Sequence, residues 1–197
     1  MPSTINASNG ASSGLISTGD ASGVLALQTN NGTTALTLGT DQSAAFAGAG
    51  SFAGKLTLSG SSSSLASLLT NMSEIATVSA TSSIGTITYD VTTQSILYYT
   101  VNSSGNWTIN FRASSGTSLN TAMSTGQAIT VAFLATNGPT AYYNNVVQVD
   151  GSSVTPKYQG GTAWSAGNAS SIDVYVYTII KTGAATFTVL AAQTRYA

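Results

Sequence analysis

The chain has no cysteine and no histidine. The first absence excludes disulfide frameworks, thiolate metal sites and cysteine nucleophiles. The second removes the commonest general base and metal ligand, and with it imidazole triads and HExxH-type zinc sites. Charge is nearly as scarce, since charged residues make up 6% of 197 residues against roughly 25% in an ordinary soluble domain. The five basic residues, Lys55, Arg112, Lys157, Lys181 and Arg195, are scattered, so there is no basic stripe for nucleic acid. No apolar run approaches the roughly 18 residues of a membrane-spanning helix. The opening MPSTINASNG has neither the basic nor the apolar part of a secretory leader, so neither membrane insertion nor signal-peptide export is expected.

What is present is apolar enough to fold. The apolar fraction is 42%, whereas disordered chains combine low hydrophobicity with high net charge. Solubility is left to Ser, Thr, Asn and Gly, a surface typical of proteins assembled into something larger.

Three regions separate by pattern, and together they predict a mainly β protein. Residues 1–60 carry short alternating pairs, Leu25/Leu27, Leu36/Leu38 and Leu56/Leu58, between turn signals such as Asn31-Gly32. Each strand has one thin apolar edge and too little else for a core of its own. The region is either a glycine-rich β arm or shaft that gains its core on assembly or attachment, or a flexible linker. Residues 61–78 change period: Leu65, Leu68, Leu69, Met72 and Ile75 fall on one helical face, with Ser63 or Ser64 as N-cap. In heptad terms Leu65 and Met72 take a positions while Leu68 and Ile75 take d, the seam of a short trimeric collar, although the same face could instead lie on the following domain. From residue 79 to 197 the period is two. Ile87/Tyr89/Val91, Trp107/Ile109/Phe111 and Phe187/Val189 alternate with polar residues, and further strands are expected over 94–101, 127–135, 142–149 and 171–181. Turns at Ser104-Gly105-Asn106, Asn137-Gly138-Pro139 and Asp150-Gly151 separate them, which predicts an antiparallel, jelly-roll-like β-sandwich.

Chemistry is hard to find. The six carboxylates are Asp20, Asp41, Glu74, Asp90, Asp150 and Asp173. A glycosidase would need two of them flanking a cleft, and nothing in their spacing pairs Asp90, Asp150 or Asp173. Both "TGDASG" and "VDGSS" read as turns rather than calcium loops. The glycines of "GAGSFAG" (Gly48, Gly50, Gly54) lack the Lys-Ser/Thr of a phosphate loop. A non-enzymatic protein with no metal and no cofactor is therefore expected. Binding by aromatics remains. Tyr158 and Trp164 in "VTPKYQGGTAWSAGNASS", with Tyr142 and Tyr143 in "AYY", either form a surface-binding loop or fold back to cap the sandwich.

The opening "MPSTINASNGASSGLISTGDASGVLALQTNNGTTALTL" and the closing "VTPKYQGGTAWSAGNASSIDVYVYTIIKTGAATFTVLAAQT" resemble virion structural and tail-fibre-like proteins of tailed bacteriophages, especially marine and cyanobacterial ones. The resemblance covers under half of the chain. It implies a virion protein, often homotrimeric, attached through its N-terminal part to other capsid or tail proteins, with its C-terminal domain displayed. The short chain favours a capsid decoration protein or short fibre. A short tail fibre recognising host surface glycan is the alternative, and a cellular lectin-like module the alternative of another class.

Overall fold

The computed structural model describes residues 25–29, 33–38, 44–46 and 73–197, and the chain divides into two compact units, Met1–Leu68 and Leu69–Ala197. In the first, strands β1 (Leu25–Thr29), β2 (Thr33–Leu38) and β3 (Ala44–Phe46) form an antiparallel sheet in the order β1-β2-β3. Its register sets the two Leu-x-Leu pairs against each other, Leu25 opposite Leu38 and Leu27 opposite Leu36. The two Leu-x-Leu pairs, eleven residues apart in sequence, thus lie on the two facing strands of one hairpin.

In the second unit, strands β4 (Ala76–Ser82), β5 (Gly85–Asp90), β6 (Ile96–Val101), β7 (Trp107–Arg112), β8 (Ala128–Asn137) and β9 (Asn144–Val149) alternate between two sheets. They are followed by β10 (Ser152–Ser153), β11 (Lys157–Tyr158), β12 (Ser171–Gly183) and β13 (Thr186–Tyr196). The four-stranded sheet runs β10-β9-β7-β5 and the six-stranded sheet β11-β13-β12-β8-β6-β4.

Because every strand from β4 to β9 returns through the opposite sheet, neighbours within a sheet run in the same direction. The pairs β4–β6, β6–β8, β5–β7 and β7–β9 are parallel. This corrects the expectation of antiparallel pairing throughout, which holds for β8–β12, β12–β13 and β9–β10. A period of two reports one buried face and is silent on the direction of the neighbouring strand.

The core lies between the sheets and is largely aromatic. Trp107 meets Phe133 and Tyr175 edge-on at ring distances of 5.8 and 5.5 Å, and Phe111 meets Tyr177 at 5.0 Å. Each pair joins the four-stranded to the six-stranded sheet. Such pairs add about 0.5–1.5 kcal/mol beyond the area they bury.

A one-turn helix, α1 (Leu119–Ala122), was not legible as a period. Ser118 and Asp150 accept its first N–H groups: Thr121 N donates to Ser118 Oγ at 3.0 Å, and Leu119 N and Asn120 N donate to the Asp150 carboxylate at 2.6 and 2.9 Å. At the other end the buried Lys181 Nζ donates to the carbonyls of Asn120 and Met123 at 2.5 and 2.8 Å. Anion at the N-terminus and cation at the C-terminus satisfy the groups a short helix leaves open.

Candidate functional site

Of the residues expected to bind a surface, Tyr142, Tyr143, Tyr158 and Trp164 all come to one end of the sandwich and all are half-buried against its core. Trp164 Nε1 donates to the carbonyl of Asn144 at 2.5 Å, and its ring meets Tyr158 at 4.7 Å, Tyr175 at 5.3 Å and Tyr177 at 6.4 Å. The "AYY" segment is held by its backbone: Tyr142 N donates to Asn137 Oδ1 at 3.3 Å and Tyr143 N to Asn106 Oδ1 at 3.1 Å. The rings therefore extend the core, and the part of Tyr158 and Trp164 that faces outward borders two shallow grooves of about 450 and 220 Å³. The grooves share Gln159, Ala191 and Ala192.

Two residues whose burial the sequence did not mark, Asp173 and Asn144, hold this end in place. Asp173 is fully buried among amides, accepting from Asn168 N at 2.8 Å, Asn168 Nδ2 at 2.7 Å, Asn137 Nδ2 at 3.1 Å and Gln193 Nε2 at 3.3 Å. Asn144, also buried, donates through Nδ2 to the carbonyls of Trp107 at 2.9 Å and Val146 at 2.8 Å, and accepts from Tyr177 Oη at 3.0 Å. Nothing in "YYNNVV" marks the first asparagine as different from the second.

The remaining described carboxylates have structural partners. Asp90 pairs with Arg112, Oδ1 to Nε at 2.5 Å, on the outer face of the four-stranded sheet, where solvent screens the pair. Asp150 caps α1, and with Gly151 it makes the two-residue turn between β9 and β10 at φ values of 52° and 80°. Asn110, Arg112, Asp150 and the hydroxyl-rich segment 114–118 line an open polar pocket of about 360 Å³. Glu74 is exposed and accepts from Ser95 Oγ at 3.1 Å. Among the described residues no three Asp or Glu gather as a metal-holding group, and no helix is long and apolar enough to cross a membrane.

For the assembly residues, Leu27 and Leu38 are exposed, 41% and 37%. Leu56, Leu58, Leu65, Leu68 and Met72 lie outside the described residues, as do Gly48, Gly50, Gly54, Asp20 and Asp41. Ile75 does not end a helical seam. It is exposed in non-helical backbone, its carbonyl accepting from Ser95 N and Ile96 N, and β4 begins at the next residue. The segment 61–78 is therefore not a helical collar at its C-terminal end, because pairing with β6 takes over a stretch, ATVSATS, whose Val and Thr favour a strand.

Burial raises the phenol pKa of Tyr89, Tyr175 and Tyr177, helped at Tyr89 by the nearby charge of Glu74 and at Tyr175 by that of Asp173. Below pH about 10 these phenols are protonated in both folded and unfolded chains and leave stability independent of pH. Above it the unfolded chain loses protons that the folded chain keeps, so stability falls by about 1.4 kcal/mol per pH unit for each phenol held neutral. Urea melts across the alkaline range should show that decline. Tyrosinate absorbance from these three residues should rise together with unfolding, and ionisation of all tyrosines in the still-folded chain would contradict it.

Fold and site define a mainly β protein, a two-sheet sandwich with an aromatic core in one unit and a small three-stranded sheet in the other. No family model matches the chain, and neither the curated proteins nor the solved structures contain a match.

Proposed function

We propose that the chain is a non-enzymatic structural protein on the surface of a bacteriophage particle, of the capsid decoration or short-fibre kind. In this reading it is a homotrimer assembled in the host cytoplasm, residues 1–60 attach it to other virion proteins, and the sandwich is displayed. The observation that carries the reading is the contrast between the two units. One has a core of edge-on aromatic pairs, whereas the described strands of the other leave Leu27 and Leu38 exposed in a sheet of only three short strands. Such a sheet gains most from a partner. The resemblance of the two chain ends to phage virion proteins supplies the particle.

Replacing Leu25, Leu27, Leu36 and Leu38 together by Ser should abolish incorporation into particles while leaving the melting of the sandwich unchanged. Quantifying the protein against the major capsid protein in purified virions then separates decoration, with many copies, from a tail fibre with few. Absence from particles would remove the proposal. The half-exposed Tyr158 and Trp164 beside their grooves favour a second reading, a short tail fibre that stacks on host surface glycan. Low copy number and glycan binding lost on Trp164→Ala would select it.

A further inference from the structure

The two outer faces of the sandwich are unlike. On the four-stranded sheet the outward positions include Thr88, Asp90, Asn110, Arg112 and Gln148, an ordinary solvated face. On the six-stranded sheet two rows run in register across five strands, β4 to β13. One is Val78, Tyr98, Leu134, Val174 and Thr194; the other is Ala76, Ile96, Ala132, Val176 and Ala192. Neither row contains a charge. The charged residues of these five strands are Asp173, Lys181 and Arg195, and all three occupy the alternate, inward-facing register. Lys157 stands at the margin, opposite Leu190. The edge strand β4 also carries none of the lysines or prolines with which exposed edges are usually protected.

At about 3.3 Å per residue and about 4.8 Å between strands, these five strands project roughly 700 Å² of face. The ten residues of the two rows, nine of them apolar, cover roughly 300 Å² at its centre, flanked by Thr130, Thr136 and Thr178, and the whole uncharged face approaches the roughly 800 Å² that each partner contributes to a standard stable interface. The occupant follows from size and charge. Strands β1 to β3 project only about 200 Å². A second six-stranded face matches the first in area and, being equally free of charge, places no unpaired charge against it.

We infer that the outer face of the six-stranded sheet is a self-association surface, on which copies of this chain pack sheet against sheet through the Val174 and Val176 rows. Self-association then rests on the sandwich, and the leucine strands serve attachment to other proteins of the particle. This inference also stands apart from the particle: a chain that self-associates but is missing from virions would sink the proposed function and leave the interface intact.

The experiment uses the full chain. Sedimentation and native mass measurements should give a multimer at micromolar concentration, and Leu134→Lys and Val176→Lys should each shift it to the mass of a monomer while retaining strand circular dichroism and cooperative melting. Because the chain has no cysteine, Val176→Cys introduces a single thiol, which provides a second readout if a lysine variant does not fold. Maleimide labelling of that thiol should be several-fold slower in the multimer and become fast on dilution to monomer. A wild-type monomer at all concentrations would overturn the inference, whether the thiol is freely labelled or is shielded within one chain by residues 1–68. A multimer that survives both lysine substitutions would overturn it equally.

Discussion

Asp173→Ala is expected to cost about 3 kcal/mol of folding stability, roughly a 10 °C fall in Tm for a domain of this size. Arg195 stands opposite it on β13 but makes no salt bridge with it, and the burial of the carboxylate is balanced by amide donors. Its removal leaves both the backbone and side-chain N–H groups of Asn168 without their acceptor, while Asn137 and Gln193 keep other partners, the carbonyls of Tyr142 and Ala166. Asp173→Asn is a sharper test. It keeps the shape but turns an NH₂ group against a ring of donors, so it should recover little of the loss. Gly167 belongs to the same construction, since a Cβ there would run into the carbonyl of Tyr142 and meet Asn137 Nδ2 at 2.9 Å and Asp173 Oδ2 at 3.0 Å. Gly167→Ala should therefore cost about 1–3 kcal/mol by overpacking, and less than additively in the Asp173→Ala background, because the clamp it disturbs is already open. Chemical denaturation of the three single variants and the double variant decides. Full stability in Asp173→Ala would mean that water replaces the carboxylate at no cost.

Asn144→Leu should be comparably damaging, about 3 kcal/mol, through orphaned groups rather than lost volume. Leucine fills much of the same space but leaves the phenol of Tyr177, wholly buried, without an acceptor, and frees two carbonyls on the four-stranded sheet. Tyr177→Phe removes the phenol as well as its need. The double variant Asn144→Leu/Tyr177→Phe should thus be more stable than Asn144→Leu alone, a rescue that a purely steric account does not produce. Trp164 fluorescence supplies a local readout. Its indole N–H is held by the backbone carbonyl of Asn144, so a shift of that strand should move the emission of Trp164 before the sandwich melts. Unchanged melting in Asn144→Leu would show that the asparagine is dispensable.

Strand positions were legible wherever one face is buried. Trp107, Ile109 and Phe111 alternate with Thr108, Asn110 and Arg112 and do form β7 with the first set inside. Likewise the expected strand over 171–181 is β12, Ser171–Gly183. The two leucine pairs were legible as short strands, and their partnership in one hairpin was not drawn from their spacing. The short α1 escaped because a single turn has no period, and its stability comes from Asp150 and Lys181, residues 30 and 61 positions from their shared partner Asn120. The reading of Ile75 as a helical seam position failed for a related reason. Apolar spacing of i, i+3, i+7 fits a helix locally, but the hydrogen bonds offered by β6 lie 20 residues further on and decide the backbone there.

By itself, then, the sequence determined that this is a β protein without cysteine or histidine chemistry, whose C-terminal part alternates well enough to make a core. Only the tertiary structure decided which sheet each strand enters, and hence that neighbours run parallel, because direction depends on how the chain returns and not on which side chains are apolar. It also decided the fate of residues whose type is ambiguous. Tyr158 and Trp164 are half-buried because Tyr175 and Tyr177 come beneath them; Asp173 is buried because four amide hydrogens from Asn137, Asn168 and Gln193 converge on it. The same holds for the uncharged outer face. Along β12 every outward residue is apolar or Thr, but only the registry of β4, β6, β8 and β13 beside it turns five separate alternations into one continuous surface.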